Sequence, residues 1–84
     1  MYEILLERHA ERDLKRLPAD VFGRIVEAIK SLAAGPRPPG CRKLTGSEND
    51  WRIRVGAYRV LYEIDDERQT VRVMRIRHRR DAYR

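Results

Sequence analysis

Cysteine is almost absent from this chain of 84 residues: Cys41 is the only one, so no disulfide framework can brace the fold. One cysteine and two histidines also fall short of the four ligands of a structural zinc site. No stretch approaches the roughly 20 apolar residues of a membrane span. Met1–Leu6 is a short apolar run followed at once by charge, which is too little for a secretory signal. The sequence therefore reads as a cytoplasmic protein with no membrane partner. At this length it holds one domain, residues 1–84, with one modest core, near the lower limit for stability without help from a partner.

Lysine is missing from the C-terminal part, where a mere solubility surface would mix it with arginine. Residues 51–84 carry ten basic residues, all arginine, against five acidic ones, whereas residues 1–50 carry nine basic and eight acidic. The formal charge of +6 thus sits almost wholly in the C-terminal part. Arginine presents a planar fork that matches phosphate oxygens, while lysine is a point charge. A GC-rich coding sequence would also favour arginine, and composition alone does not separate the two explanations. A hydrophobic share of 42% excludes a disordered polyelectrolyte. What remains is a folded domain with a basic surface suited to a polyanion.

Periodicity divides the chain. Tyr2–Leu6 is short and β-compatible. Ala10, Leu14 and Leu17 follow at helical spacing, predicting a first helix from about Glu7 to Leu17 that ends at Pro18. Val21, Phe22, Ile25, Val26, Ile29, Leu32 and Ala33 form the apolar face of a second helix, stopped by Gly35-Pro36. Residues 35–50 are rich in turn formers and read as a long loop. Trp51, Ile53 and Val55 then alternate with Arg52 and Arg54 in a strand. Gly56-Ala57 turns the chain into a strand from about Tyr58 to Ile64, and Asp65-Asp66-Glu67 turns it into a last strand, Thr70–Ile76. The expected fold is α+β with the order βααβββ, a helical hairpin packed against a small antiparallel sheet. Because alternate residues share a face, Arg52 and Arg54 point away from the helices together, and Arg75 and Arg77 likewise share one face.

Several residues have plain structural readings. Trp51, Tyr58 and Tyr62 lie at strand spacing and pack in the core; His9 is a surface residue; Cys41, with no base beside it, is inert. Arg8, Arg12, Lys15 and Arg16 form a solvated helix face that assists contacts to RNA by charge alone. Asp65-Asp66-Glu67 are adjacent in a turn and make no metal site.

Two blocks of sequence carry a family likeness. Lys43-Leu-Thr-Gly followed by Trp51-Arg-Ile-Arg-Val-Gly-Ala-Tyr-Arg-Val-Leu-Tyr62, and the ending Arg77-His-Arg-Arg-Asp-Ala-Tyr83-Arg84, resemble the RelE/ParE toxin superfamily. The stretch Ala10-Glu-Arg-Asp-Leu-Lys-Arg-Leu-Pro18 is similar to that family's first helix. The resemblance implies the toxin of a type II toxin–antitoxin pair, with a cognate RelB-like antitoxin as partner. RelE-like members are endoribonucleases that cut mRNA, commonly on the ribosome, whereas ParE-like members act on DNA gyrase and cut nothing. RNA supplies its own 2′-hydroxyl nucleophile, so no metal or other cofactor is required. The ending resembles the RelE branch. Carried over by motif, the implied site residues are Arg52, Arg54, Arg59, Arg79 and Tyr83. Some RelE-like toxins have lysine where this chain has Arg52 and Arg54. Guanidinium stays protonated, so the departure moves acid–base work elsewhere and leaves a catalytically weakened, antitoxin-binding toxin as a further reading. Histidine is the side chain best suited to proton transfer near neutral pH, which makes His78 the candidate acid or base unless it only faces solvent. Tyr83 is expected to orient the 2′-hydroxyl, exchange a proton or stack on a base, or else to pin the tail to the sheet.

Overall fold

The computed structural model describes residues 1–81. Five strands and two helices follow one another as β1 (Glu3–Leu6), α1 (Arg8–Lys15), α2 (Ala19–Ser31), β2 (Arg42–Lys43), β3 (Asp50–Val55), β4 (Tyr58–Asp65) and β5 (Thr70–His78). The strands form one sheet in the order β1-β5-β4-β3-β2. The α+β architecture, the helical hairpin and the C-terminal antiparallel meander are as expected. Two features refine that expectation. The sheet is mixed, because β1 joins β5 in parallel. The loop also contributes β2, two residues paired antiparallel to Trp51 and Arg52 of β3.

The core follows from the two periodicities. On the sheet, Ile53, Val60, Tyr62, Ile64, Val71, Val73 and Ile76 are buried; on the helices, Ala10, Leu14, Ile25 and Ile29 are buried against them. Leu32 continues the stripe just beyond α2, where shorter i→i−3 bonds from Leu32 to Ile29 and from Ala33 to Lys30 tighten the last turn. Phe22, in the first turn of α2, stays 44% exposed and does not join this face. Pro18 sits at the N-cap of α2, after Arg16 and Leu17 have closed α1 with bonds to Asp13 and Leu14.

Two local devices decide where the functional side chains point. Gly56 has φ +60°, as the first position of a two-residue type II′ hairpin turn requires, and joins β3 to β4 tightly. In β5 the register slips: Leu61 of β4 pairs with Arg75, but its neighbour Tyr62 pairs with Val73, leaving Met74 as an extra residue. Such a bulge inverts the in–out alternation of everything after it.

The outer edge of β5 is closed beyond the end of β1. Asp13 of α1 accepts the Ile76 backbone N–H at 2.9 Å and pairs with the Arg75 guanidinium at 2.9 Å. A backbone donor on a strand edge thus finds a carboxylate from the neighbouring helix. At the far end of the sheet, Tyr2 donates its hydroxyl to Asp66 at 2.6 Å and Arg37 pairs with the same carboxylate at 2.8 Å. This ties the start of β1, the loop and the β4–β5 turn together.

Candidate nucleic-acid interface

Register places four arginines on the sheet face that the helices leave open. Arg54 of β3 lies directly opposite Arg59 of β4, and Arg59 lies opposite Arg77 of β5. Arg52 occupies the same face one pleat away, opposite Leu61. Three neighbouring strands, about 4.8 Å apart, therefore carry an arginine each in one row. Like charges in such a row repel, and an anion lying across it would offset that repulsion.

The row ends in a cleft of about 480 Å³ at the Gly56-Ala57 turn, lined by Arg54, Tyr58, Arg59, Arg79 and Arg80 and by the turn itself. Arg79 is held there by its backbone N–H, which donates to the Ala57 carbonyl at 2.7 Å. Arg24 reaches the same turn from α2: a Cβ built on Gly56 would stand 3.1 Å from its Nη2. Among the described residues no acidic side chain lines the cleft. Arg54, Arg59 and Arg79, three of the residues singled out by the sequence, converge on it. Arg52 does not line it; it lines an adjoining cleft that shares Arg54.

His78 is not part of this cleft. It pairs in register with Tyr58, on the helix side of the sheet, and the two rings meet edge to face with centroids 5.2 Å apart. It lines another cleft with Asp13, Arg16, Tyr58, Arg75, Arg77 and Asp81, and there Arg77 donates to the Asp81 carbonyl at 3.2 Å. Its Nδ1 accepts the Arg80 backbone N–H at 3.2 Å, and its carbonyl accepts the Asp81 N–H at 2.8 Å. The imidazole therefore braces the turn that presents Arg79 and Arg80. Tyr83 lies outside the described residues. Arg77 is the residue that motif matching passed over; its signal is the register, since it faces Arg59 only because of the bulge at Met74. Among the described residues no group of three His, Cys, Asp or Glu side chains is placed to hold a metal ion, and no helix is long and apolar enough to cross a membrane.

A small mixed sheet covered on one face by a helical hairpin is an architecture seen in known toxins. The family model for the ParE toxin of the type II toxin–antitoxin system ParDE matches residues 4–83. Toxin RelG of Mycobacterium tuberculosis is 39% identical, over 99% of this chain and 97% of its own length. Among solved structures, the toxin–antitoxin complex RelBE2 from the same organism superimposes with a TM-score of 0.81 at 33% identity, covering 92% of this chain and 96% of the matched one. The archaeal RelE–RelB complex from Pyrococcus horikoshii gives a TM-score of 0.84 over 96% of this chain and 98% of the matched one, a likeness of fold alone at 24% identity. The fold and the sequence match are thus those of a type II toxin. The chain belongs to the RelE/ParE toxin family.

Proposed function

We propose that this toxin is an endoribonuclease that cuts mRNA, on the ribosome and without a metal ion, by activating the RNA's own 2′-hydroxyl. The observation that carries this reading is the convergence of Arg54, Arg59 and Arg79 on one cleft at the end of the sheet, with no acidic side chain among its described lining residues. In the proposed reaction the 2′-oxygen bonds to the adjacent phosphorus and the P–O5′ bond breaks. The 2′ proton passes to a base and the departing 5′ oxygen gains a proton, leaving a 2′,3′-cyclic phosphate and a 5′-hydroxyl. The phosphorane-like intermediate gathers negative charge on its equatorial oxygens. Preplaced guanidinium donors stabilise that charge more than the ground state, which is the requirement for catalysis. Arg54 and Arg59 flank the phosphate from adjacent strands, Arg79 closes over it from the turn, and Arg52 and Arg77 extend the field on either side. A small basic wedge of this kind suits a site walled by RNA.

Proton transfer falls to Tyr83, a site residue implied by the family resemblance, whose phenol can exchange a proton. His78 is proposed as a positioning residue, because its Nδ1 is engaged by the Arg80 N–H and its ring lies across the sheet from the arginine row. The two roles separate experimentally. His78→Gln should slow cleavage while leaving the shape of its pH profile intact; loss of one limb of that profile would return His78 to acid–base work.

The partner in the cell is proposed to be a RelB-like antitoxin, as in the RelBE and RelE–RelB complexes of similar fold. Action on translating mRNA would place the protein in the cytoplasm. Primer extension on transcripts in a translation extract tests the central claim. New 5′ ends that require ribosomes and disappear with Arg59→Ala support it; intact transcripts alongside normal translation refute it. The ParE description of the matching family favours one second reading, inhibition of DNA gyrase without cleavage. Loss of supercoiling activity on adding the protein, with transcripts intact, would support that reading instead.

A further inference from the structure

Beside the arginine cleft lies a second one of about 460 Å³, between the C-terminal half of α2, the Pro38-Pro39-Gly40 segment and β3. Ala28 and Ser31 form one wall, the two prolines another, and Arg42, Arg52 and Arg54 the rim; among the described residues no acidic side chain lines it. Arg54 lines both clefts, so they adjoin at its side chain. β2 covers only Trp51 and Arg52 of β3, so Ile53, Arg54 and Val55 present a strand edge with no strand beside it among the described residues. The opposite edge of the sheet is treated differently, since Asp13 closes it at Ile76. An open edge offers backbone donors and acceptors in a fixed row and is normally blocked or used.

We propose that this second cleft is a nucleotide subsite: it binds the residue of single-stranded RNA that flanks the scissile phosphate. The inference rests on the endoribonuclease reading and adds a specific subsite to it. Arg42 is opposite Arg52 in register, two residues from Arg54. Strand geometry then sets Arg42 and Arg54 about 7 Å apart along β3 and about 5 Å across it, a step on the scale of one nucleotide. The flanking phosphate lies between these two guanidinium groups. Its base enters the cleft against the proline faces, where the open edge of Ile53–Val55 can hydrogen-bond to the base edge. Such recognition is typical of splayed single-stranded RNA. Arg54, shared with the first cleft, favours RNA over the other chain an open edge can take, an extended acidic peptide.

Fluorescence anisotropy with uncleavable 2′-O-methyl RNA of two, three and four nucleotides, at low salt, tests the subsite on the full chain. Wild-type protein, Arg42→Ala, Ser31→Trp and Arg59→Ala are compared. Wild type should gain roughly fivefold to tenfold in affinity with the nucleotide that reaches the second cleft, one charged surface contact. Arg42→Ala, which removes the cation, and Ser31→Trp, which fills the cleft, should both lose that gain yet bind the dinucleotide as wild type does. The salt dependence of tetranucleotide binding should fall by about 0.7 in slope for Arg42→Ala, the loss of one phosphate contact on a single strand. A gain that survives in both variants overturns the subsite alone. Wild type that binds no oligonucleotide, or Arg59→Ala that binds as well as wild type, overturns the RNA reading and the subsite with it. An alternating glutamate–threonine octapeptide that displaces the tetranucleotide from wild type but fails to bind Ser31→Trp would reassign the cleft to an acidic peptide.

Discussion

The two ends of the sheet use arginine in opposite ways. Towards the β4–β5 turn, Arg37 is paired with Asp66, Arg68 with Asp65, and Arg72 with both Glu7 and Glu63, while Asp13 holds Arg75 along the β5 edge. Towards the β3–β4 turn, Arg54, Arg59, Arg79 and Arg80 surround a cleft that has no acid among the described residues of its wall. One residue type thus ties elements together at one end and gathers around an anion-sized cleft at the other. Composition shows the surplus of positive charge; only the placement of the few carboxylates shows where the surplus collects. Folding polarises the molecule, and the proposed RNA contact uses its cationic end.

This contrast breaks most sharply if the two kinds of arginine are exchanged in effect. Arg59→Ala should lower mRNA cleavage by roughly 10²–10³-fold, the loss expected on removing one transition-state donor. Arg72→Ala should leave cleavage near wild type and lower stability by only about 0–1 kcal/mol, since its two ion pairs are exposed. Cleavage rates in a translation extract and thermal melts of the same preparations decide the matter. Equal loss of cleavage in both variants would erase the distinction between the two ends.

The next largest effect is expected at the closed edge. Asp13→Ala strips a partner from Arg75 and from the Ile76 N–H at once. The Asp13 side chain is only 12% exposed, so the cost is about 2 kcal/mol, between that of a surface pair and a buried one. Denaturant unfolding measures it. Asp13→Asn should recover part of that loss, because the amide oxygen can still accept the Ile76 N–H while the charge pairing is gone. A smaller loss, about 1 kcal/mol, is expected for Tyr62→Phe, which leaves the Pro36 carbonyl without the hydroxyl that now donates to it at 2.7 Å.

Much of this design is legible in the order of the residues. Periodicities of 3.6 and 2 locate both helices and the meander, and the alternation of Trp51, Ile53 and Val55 with Arg52 and Arg54 gives the correct faces of β3. What the pattern hides is of two kinds. β2 has two residues, too few to show any period, and the parallel docking of β1 on β5 leaves no local trace. More consequential is the single extra residue at Met74. Simple alternation from Val71 and Val73 would set His78 on the open face and Arg77 in the core. The bulge inverts both, bringing Arg77 opposite Arg59 and turning His78 towards the helices. A histidine beside an arginine cluster in sequence thus becomes a brace for the turn, and no spacing rule within one strand could reveal it.

The mildest test concerns the paired end alone. Hydrogen bonds, from Arg37 first and Tyr2 second, hold the Asp66 carboxyl below the usual range. A carboxylate depressed in the folded state binds its proton more readily in the unfolded chain. Its contribution is therefore fully present above the ordinary carboxylate value near 3.9 and is lost as pH falls through the folded value below it. The Tyr2 phenol is raised by the same hydrogen bond to Asp66, so the pair has an alkaline limit as well, reached as pH climbs past about 10. Between these limits the tie among β1, the loop and the β4–β5 turn should be insensitive to pH. Melting temperature should therefore fall less steeply with acid in Arg37→Ala than in wild type, because the variant has already lost the interaction that acid removes. Arg37 also lies 5.1 Å from the Trp51 ring centre, so tryptophan fluorescence reports whether the guanidinium stays in place as Asp66 is protonated. Parallel acid curves for the two proteins would mean that this end owes its order to backbone pairing rather than to charge.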